Sequence, residues 1–244
     1  MKSNLDINCD LGEGMPTDRQ IMPYLGSCNI ACGAHAGDDN CIAETVKMAK
    51  KYLVNIGAHP SYPDRANFGR VSLYMESQSL KKSLKEQIDK VKNQAQKEGL
   101  PLHHIKFHGA LYLDSLKDQE LADLLAAFVK DYYPDQLLYA PFGSCMAIAA
   151  SQRNLRLRFE VFADRRYSTA TTLLPRKHPG ALLTDLTEIA EQVSLILNEG
   201  KVKAHSGELL AICADTICIH GDHPQAVSIA KMISSKLIAN TKQP

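Results

Sequence analysis

Polar and ionisable side chains occupy alternate positions in six short segments of this 244-residue chain. In the first segment, Asp6, Asn8 and Asp10 alternate with apolar neighbours. Because successive strand side chains point to opposite faces of a sheet, the pattern predicts strands with one apolar and one polar face. The other five segments carry Asn29; Asn55 and His59; Lys106 and His108; Glu160 and Asp164; and Thr216, Cys218 and His220.

Segments with strand-like and helix-like periodicity alternate along the whole chain. The predicted strands lie near 4–10, 28–33, 54–59, 104–109, 137–142, 158–164 and 216–221. The predicted helices lie near 40–52 and 78–98, and others begin at Asp118, after Gly143, at Asp185 with Glu188 as a capping-box partner, and around Pro224. Such alternation, with no break in composition, predicts one α/β domain over residues 1–244 with a parallel sheet.

The sheet of such a domain is either open or closed into a barrel. We expect a single-domain β/α barrel, seven-stranded and TIM-like but distorted, because closure brings polar residues at the ends of nearly all strands together. An open sheet would spread the same residues along a crevice. The longest predicted loop, residues 60–76, would lie at the mouth and cover it.

Composition excludes several classes of protein. The 28 basic and 27 acidic residues give a net charge of +1, which does not support a nucleic-acid or membrane-surface partner. No apolar run approaches the ~18 residues of a membrane span, and the amino terminus lacks a signal-peptide core, so a cytoplasmic protein is expected. Seven cysteines without a CxxC pair predict reduced thiols rather than disulfides or a zinc site at Cys28 and Cys32.

Four motifs carry the residue types of proton transfer and charge stabilisation. They are DINCDLGEG at 6–14, GAHPSYPD at 57–64, KFHGALY at 106–112 and ADTICIHGD at 214–222. A buried lysine such as the one in KFHGALY requires an anionic partner. We therefore predict a catalytic group made of Asp10, Glu13, His59, Lys106, His108 and His220.

Two further motifs, NIACGAHAGDD at 29–39 and EVFADRRY at 160–167, add candidates for substrate binding. Arginine suits two-pronged binding of carboxylate or phosphate. The predicted substrate-binding residues are Asp6, Asn8, Asn29, His35, Asp164, Arg165, Arg176 and Asp215, while Arg166 fits a surface ion pair. The remaining isolated histidines, His103, His178, His205 and His223, are expected on the surface or in loops.

These six motifs, in this order and spacing, resemble the LamB/YcsF family from about residue 4 to about residue 238. The departures are small: Ala34 stands where the family usually has Phe, Asp39 and Phe107 where it has Pro, and Ser61 and Thr171 where it has Gly. None of them removes an ionisable candidate. The resemblance implies a β/α barrel related to glycoside hydrolase and deacetylase folds.

The resemblance also implies an activity, that of the A component of an ATP-dependent 5-oxoprolinase. Such an enzyme converts 5-oxo-L-proline to L-glutamate and releases ADP and phosphate. Subunits B and C would bind ATP and phosphorylate the lactam, and this chain would hydrolyse the activated species. The absence of GxxxxGK[ST] and complete GxGxxG motifs here agrees with ATP binding on a partner chain.

Within that implied reaction, roles can be assigned as hypotheses. Asp10 or Glu13 would be the base, and Lys106 with Arg165 would hold the anion. The acid would be His59, His108 or His220. Replacing Lys106 by Met should abolish turnover without unfolding the chain.

Two other functions are compatible with the sequence. A metal-dependent amidohydrolase or carbohydrate deacetylase would use a divalent metal, with Asp10, His35, His59 and His108 as candidate ligands. A non-catalytic scaffold or substrate-binding component is disfavoured by the density of ionisable residues at strand ends. Whether the chain forms a homo-oligomer stays open.

Overall fold

The computed structural model describes residues 5–241, so residue 4 of the first predicted strand and both ends of the predicted domain lie outside the described residues. The strands are β1 (Asp6–Leu11), β2 (Ser27–Ala31), β3 (Asn55–His59), β4 (His104–Ile105), β5 (Leu137–Ala140), β6 (Arg156–Phe162), β7 (Lys201–Lys203), β8 (Leu209–Ala211) and β9 (Thr216–Ile219). The helices are α1 (Asp18–Ile21), α2 (Asp39–Tyr52), α3 (Ser77–Lys97), α4 (Gly109–Ser115), α5 (Gln119–Tyr132), α6 (Cys145–Gln152), α7 (Leu186–Glu199) and α8 (Ala226–Thr241), with a 3-10 turn at Met22–Tyr24. None of these helices combines the length and apolar character needed to cross a membrane.

Seven strands close into a parallel barrel in the order β1-β2-β3-β4-β5-β6-β9, which confirms the predicted architecture. Thr216 pairs with Asp6 on one side and with Glu160 on the other, so β9 closes the sheet between β1 and β6. The short strands β7 and β8 form a separate antiparallel hairpin. The sequence did not predict this hairpin because each of its strands has only three residues.

The fourth predicted strand is shorter than expected. Beyond the end of β4, the chain still bonds to β3 and the residue after it. Lys106 N donates to Ala58 O (3.0 Å), and His108 N donates to Pro60 O (2.9 Å). Gly109 then starts α4 with a φ of 57°, a conformation that favours glycine. The extended backbone thus ends at His108, which places that side chain at the mouth of the barrel.

The apolar core lies between the sheet and the helices. Outward-facing strand residues such as Ile7, Val161 and Ile217 join one buried cluster with helical residues such as Leu84 and Ile189. The barrel interior is different: Lys106 of the β4 side contacts residues of β1, β6 and β9 there. A barrel interior is usually filled by layers of branched aliphatic side chains, so this polar filling calls for a chemical explanation.

Helix starts agree with the sequence in part. The carboxylates of Asp118 and Asp185 cap α5 and α7 by accepting hydrogen bonds from Leu121 N (3.1 Å) and Thr187 N (2.7 Å). The capping-box role of Glu188 was wrong, because its carboxylate binds Arg166 at 3.2 Å instead. This charge-assisted contact also confirms the surface ion pair expected for Arg166.

The isolated histidines divide into two groups. His178 and His205 are exposed, as predicted. His223 lies in a loop, as predicted, but it is buried there: its Nε2 donates to Leu183 O at 2.9 Å, because the loop after β9 packs on the segment before α7. His103 is half-buried, with its Nδ1 3.0 Å from that of His104. All seven cysteines, each within the described range, are free.

Candidate active site

A cavity of about 470 Å³ opens at the carboxyl ends of the barrel strands. Its volume lies within the ~300–1,000 Å³ that is usual for small-molecule sites, and this end of a β/α barrel is where active sites form. The predicted site residues that line it are Asp10, Glu13, His59, Lys106, His108, Arg165, Arg176 and His220.

The other predicted site residues do not line the cavity. Asn8, Asn29, His35 and Asp164 are buried and hydrogen-bonded to residues that do. Asp6 and Asp215 lie at the opposite, amino-terminal end of the barrel. There, Asp6 accepts a hydrogen bond from Thr216 (2.9 Å), and Asp215 accepts one from Phe159 N (2.9 Å).

Asp10 projects from the end of β1 into the cavity. Its Oδ1 accepts hydrogen bonds from Lys106 Nζ (2.9 Å) and Asn29 Nδ2 (2.8 Å), whereas its Oδ2 has no partner in the described chain. Burial opposes its charge, but His59 and Lys106 outweigh burial and hold the pKa of the Asp10 carboxyl well below its usual range. Asp10 is therefore a fixed anion and a poor base.

Lys106 is surrounded by anionic and polarisable groups of the protein. Its Nζ lies 2.9 Å from Asp10 Oδ1, 3.0 Å from Glu160 Oε1 and 3.0 Å from Cys218 Sγ. Burial lowers the pKa of Lys106, but Asp10, Cys218 and Glu160 together raise it well above its usual value. Its charge is thus committed within the barrel, which differs from the expectation that it holds a substrate anion.

Two histidines at the mouth have tautomers fixed by backbone carbonyls. His59 Nδ1 donates to Lys106 O (2.8 Å), and His108 Nε2 donates to Phe68 O (2.9 Å). In neutral rings the remaining nitrogens, His59 Nε2 and His108 Nδ1, therefore carry lone pairs, yet they face each other at 3.0 Å. This contact requires a cation between them, either a shared proton or a metal ion.

A third histidine, His35, extends the same cluster. Ser61 Oγ gives its only proton to Tyr62 O (2.8 Å), so it accepts from His35 Nδ1 (3.0 Å). The bare Nε2 of His35 then faces Glu13 Oε1 at 3.3 Å, and the ring stacks on His108 with centroids 3.7 Å apart. Burial lowers the pKa of His35 and holds that of His108 well below its usual value, which favours neutral rings with bare nitrogens.

The donor set fits a divalent metal ion. The ligand atoms of Asp10, His59 and His108 lie within 4.8 Å of one another, as do those of Glu13, His35 and His108. Imidazole and carboxylate suit zinc and similar ions. Metal-binding histidines usually donate their second ring N–H to a carbonyl or a similar acceptor, as His59 and His108 do here.

His220 is held on another side of the cavity. Its Nδ1 lies 2.8 Å from Asp164 Oδ1, and its Nε2 has no partner among residues 5–241. Asp164 is fully buried, but the adjacent His220 outweighs the cost of burial and lowers the pKa of Asp164 to about 2. A carboxylate that holds one ring nitrogen of an imidazole directs the other nitrogen into the cavity, which suits proton transfer to a substrate.

Arg165 supplies a positive charge without a counter-ion. Only 4% of the residue is exposed, and its guanidinium donates to the carbonyls of Leu174 (2.8 Å) and Ala181 (3.4 Å). In the described part of the chain, no carboxylate pairs with it. Burial, followed by the nearby Arg176, lowers its pKa to about 10, so the group stays charged at neutral pH. A buried, uncompensated charge is costly, which indicates that a ligand supplies the anion.

Several cavity residues were missed as site residues. Tyr112 lines the cavity and lay within KFHGALY. Its hydroxyl donates at 2.8 Å to Oε2 of Glu160, a buried residue outside the lining that lay on the polar face predicted for β6. Both residues therefore lay in segments that the sequence analysis had identified, but the sequence could not show that they pair with each other. Asp222 lay within ADTICIHGD but was not chosen as a site residue. The cavity residues that were not considered as candidates include Arg70 and an apolar wall of Phe107, Leu113, Phe162 and Leu173.

Comparison with known proteins identifies relatives of the whole chain. The A component of 5-oxoprolinase from Tolumonas auensis is 41% identical over 241 residues, covering 97% of this chain and 96% of that protein. The crystal structure of a lactam utilization protein from Thermus thermophilus matches with a TM-score of 0.89 and 37% identity, covering 99% and 98% of the two chains. A putative cellobiose-phosphate cleavage protein from Enterococcus faecalis V583, at 14% identity, covers 97% and 94% of the two chains with a TM-score of 0.53 and shares the fold alone. The LamB/YcsF profile matches residues 5–243, and the chain belongs to the LamB/YcsF family.

Proposed function

We propose that this chain opens the ring of 5-oxo-L-proline, after ATP-dependent activation on partner chains, to give L-glutamate. The observation that carries the proposal is one cavity that joins a histidine and carboxylate cluster to the uncompensated charge of Arg165. The full-length similarity to proteins named as a 5-oxoprolinase component and as a lactam utilization protein supports the choice of substrate.

The proposed reaction has three requirements. An unactivated lactam is a poor electrophile, and phosphorylation of its oxygen makes the ring carbon a better one. Water would add to that carbon, the ring C–N bond would break to leave an acyl phosphate, and a second water would release phosphate and give glutamate. The hydrolytic step then needs a base for water, positive charge for the anionic groups of the substrate, and an acid for the ring nitrogen. The cavity offers a separate group for each.

The geometry favours particular residues for these roles. When no other cation lies between them, His59 Nε2 and His108 Nδ1 would share the proton taken from water, and Asp10, 3.4 Å from His59 Nε2, would stabilise the resulting positive charge. This assignment replaces the earlier hypothesis that Asp10 or Glu13 is the base. His220, oriented by Asp164, would protonate the ring nitrogen, and Arg165 would hold an anionic group of the substrate.

The partners and location follow from the same proposal. The relatives are named as one lettered component of 5-oxoprolinase, which points to an enzyme of several chains. We assign ATP binding and lactam phosphorylation to subunits B and C, and we place the complex in the cytoplasm. The small molecule handed to this chain would be the phosphorylated lactam.

Reconstitution tests the proposal directly. Glutamate release from 5-oxoproline is measured with this chain, its candidate B and C subunits and ATP, and each component is omitted in turn. We expect glutamate only from the complete mixture. The Arg166→Gln variant should retain activity, because Arg166 binds Glu188 outside the cavity. No glutamate from a complete, well-folded mixture would refute the proposal.

A second candidate function is a metal-dependent amidohydrolase or carbohydrate deacetylase, favoured by the facing lone pairs of His59 and His108. Asp10, His59 and His108 would hold the ion, with Glu13 and His35 beside it. A bound divalent ion would polarise a carbonyl oxygen and lower the pKa of bound water.

Metal binding can be tested separately from turnover. Calorimetric titration of chelator-treated protein with Zn²⁺ should show one tight site that is lost in His59→Asn. Stoichiometric metal combined with hydrolysis of amide or acetyl substrates would support this candidate. A metal-free preparation with full activity would exclude it.

A further inference from the structure

Two arginines from separate loops meet at one carboxylate oxygen at the cavity rim. Arg70, in the segment between β3 and α3, donates from Nη2 to Asp222 Oδ2 at 2.7 Å. Arg176, in the segment between β6 and α7, donates from Nη1 to the same oxygen at 3.4 Å. Burial would raise the pKa of Asp222, but Arg176 and Arg70 outweigh it and lower that pKa. The position of Asp222 Oδ2 is therefore one at which two arginines bind an anionic oxygen.

The positive charge around this point exceeds the negative charge. Arg165 lies close enough to Arg176 for repulsion between them to lower its pKa, and it has no carboxylate partner in the described part of the chain. The carboxylate of Asp164 raises the pKa of Arg165, but its hydrogen bond is with His220. Three guanidinium groups therefore face one available carboxylate, which leaves a surplus of two positive charges.

We propose that Arg70, Arg165 and Arg176 form a recognition site for a phosphoryl dianion, with Asp222 as the counter-ion that occupies part of it. A single carboxylate would compensate only half of the surplus, whereas a phosphoryl group carries about −1.5 to −2 at pH 7. The planar fork of arginine also matches phosphate oxygens. This inference rests on the proposed function, because the activated lactam would bear such a group, and it names the group by which that substrate is recognised.

The role of Asp222 predicts the direction in which phosphate affinity should change in each variant. Its carboxylate competes with the ligand for Arg70 and Arg176, so removing its charge should strengthen binding of a phosphoryl group. Removing either arginine should weaken binding. A site for a neutral ligand would show neither effect.

Calorimetric titration of the full chain with inorganic phosphate, and separately with acetate, tests these signs. We expect phosphate to bind at least about tenfold more tightly than acetate, which corresponds to one charge-assisted hydrogen bond. Asp222→Asn should tighten phosphate binding by about tenfold, and Arg176→Gln and Arg70→Gln should each weaken it by about tenfold. Arg166→Gln is the matched control and should bind phosphate like the wild type. Thermal unfolding without phosphate verifies that each variant is folded.

The results separate this inference from the proposed function. Equal affinity for phosphate and acetate, or unchanged phosphate affinity in Arg176→Gln, would overturn the phosphoryl site. Phosphate binding as predicted, together with no glutamate from the reconstituted mixture, would support the phosphoryl site and refute the proposed 5-oxoproline reaction. Glutamate formation without phosphate binding would remove this inference alone.

Discussion

The two ends of the barrel interior contain similar side chains in different bonding states. At the amino-terminal end, Asp6 Oδ2 accepts from the hydroxyls of Ser27, Thr216 and Tyr139. At the carboxyl-terminal end, by contrast, the acceptor nitrogens of His59 and His108 face each other, and no carboxylate among residues 5–241 pairs with Arg165. An ionisable residue inside a barrel is therefore weak evidence for a site. Unused bonding capacity is stronger evidence, because it shows where a ligand is needed.

The largest expected difference in turnover is between variants of a histidine at one end of the barrel and a histidine at the other. His108→Asn removes a bare nitrogen at the mouth, so glutamate release by the complete mixture should fall by about 10²–10⁴-fold. His104→Asn, at the other end, removes the bond between His104 Nε2 and Asn29 Oδ1 (2.7 Å). It should cost about 1–3 kcal/mol of unfolding free energy in urea, with turnover per folded molecule nearly unchanged. Equal losses of turnover in the two variants would contradict the comparison.

Lys106→Met should damage both turnover and stability. The substitution leaves Asp10 and Glu160 as buried, unpaired carboxylates, so we expect a loss of about 3–5 kcal/mol in the free energy of unfolding. The structure thus revises the expectation, drawn from sequence, that the chain would stay stable. Lys106→Met combined with Glu160→Gln should regain part of the stability but no activity. Wild-type stability in the single variant would show that Lys106 is not a structural counter-ion.

Asp164→Asn should change the pH dependence of stability. The pKa of Asp164 is about 2 in the folded chain, below its ordinary value of about 3.9, so its contribution is present above pH ~4 and is lost as pH falls toward 2. At pH 7 the variant should be about 2–3 kcal/mol less stable, and the difference should shrink between pH ~4 and ~2. Urea denaturation across this range measures the effect; a difference that does not depend on pH would argue against it.

Asp6→Asn should give the smallest effect. One charged acceptor of hydroxyl groups is lost, which should cost about 1 kcal/mol and leave turnover unchanged. The surface variant Glu188→Gln serves as a reference, since an exposed ion pair contributes at most about 1 kcal/mol. Loss of turnover in a folded Asp6→Asn protein would indicate that Asp6 does contribute to the active site.

Strand periodicity was sufficient to predict the barrel and the ionisable residues that the strand ends bring to the cavity. Asp10, His59 and His108 converge because alternation turns their side chains into the barrel and parallel pairing brings the carboxyl ends of the strands together. The same alternation assigned Asp6 to the site, because periodicity identifies the face of a strand but not the level along the barrel axis.

Other features depended on tertiary contacts that have no local signature. Arg70 and Asp222 are 152 positions apart in sequence, and each lies in a loop whose path is set by packing. The burial of His223 and the contact of Glu188 with Arg166 have the same origin. Side-chain pairing across the barrel, such as that between Lys106 and Glu160, also requires the closed structure.

The polar filling of the barrel has a consequence for how the sequence can drift. Outward positions such as Ile7 and Ile217 lie in an apolar layer, where exchanges that conserve volume usually cost less than ~1.5 kcal/mol. Inside the barrel, Asn29 donates to both Asn8 and Asp10, so replacing one member leaves its partners unsatisfied. Among homologues, we expect outer positions to vary singly and inner positions to vary together, so that covariation outlines the interior of the barrel.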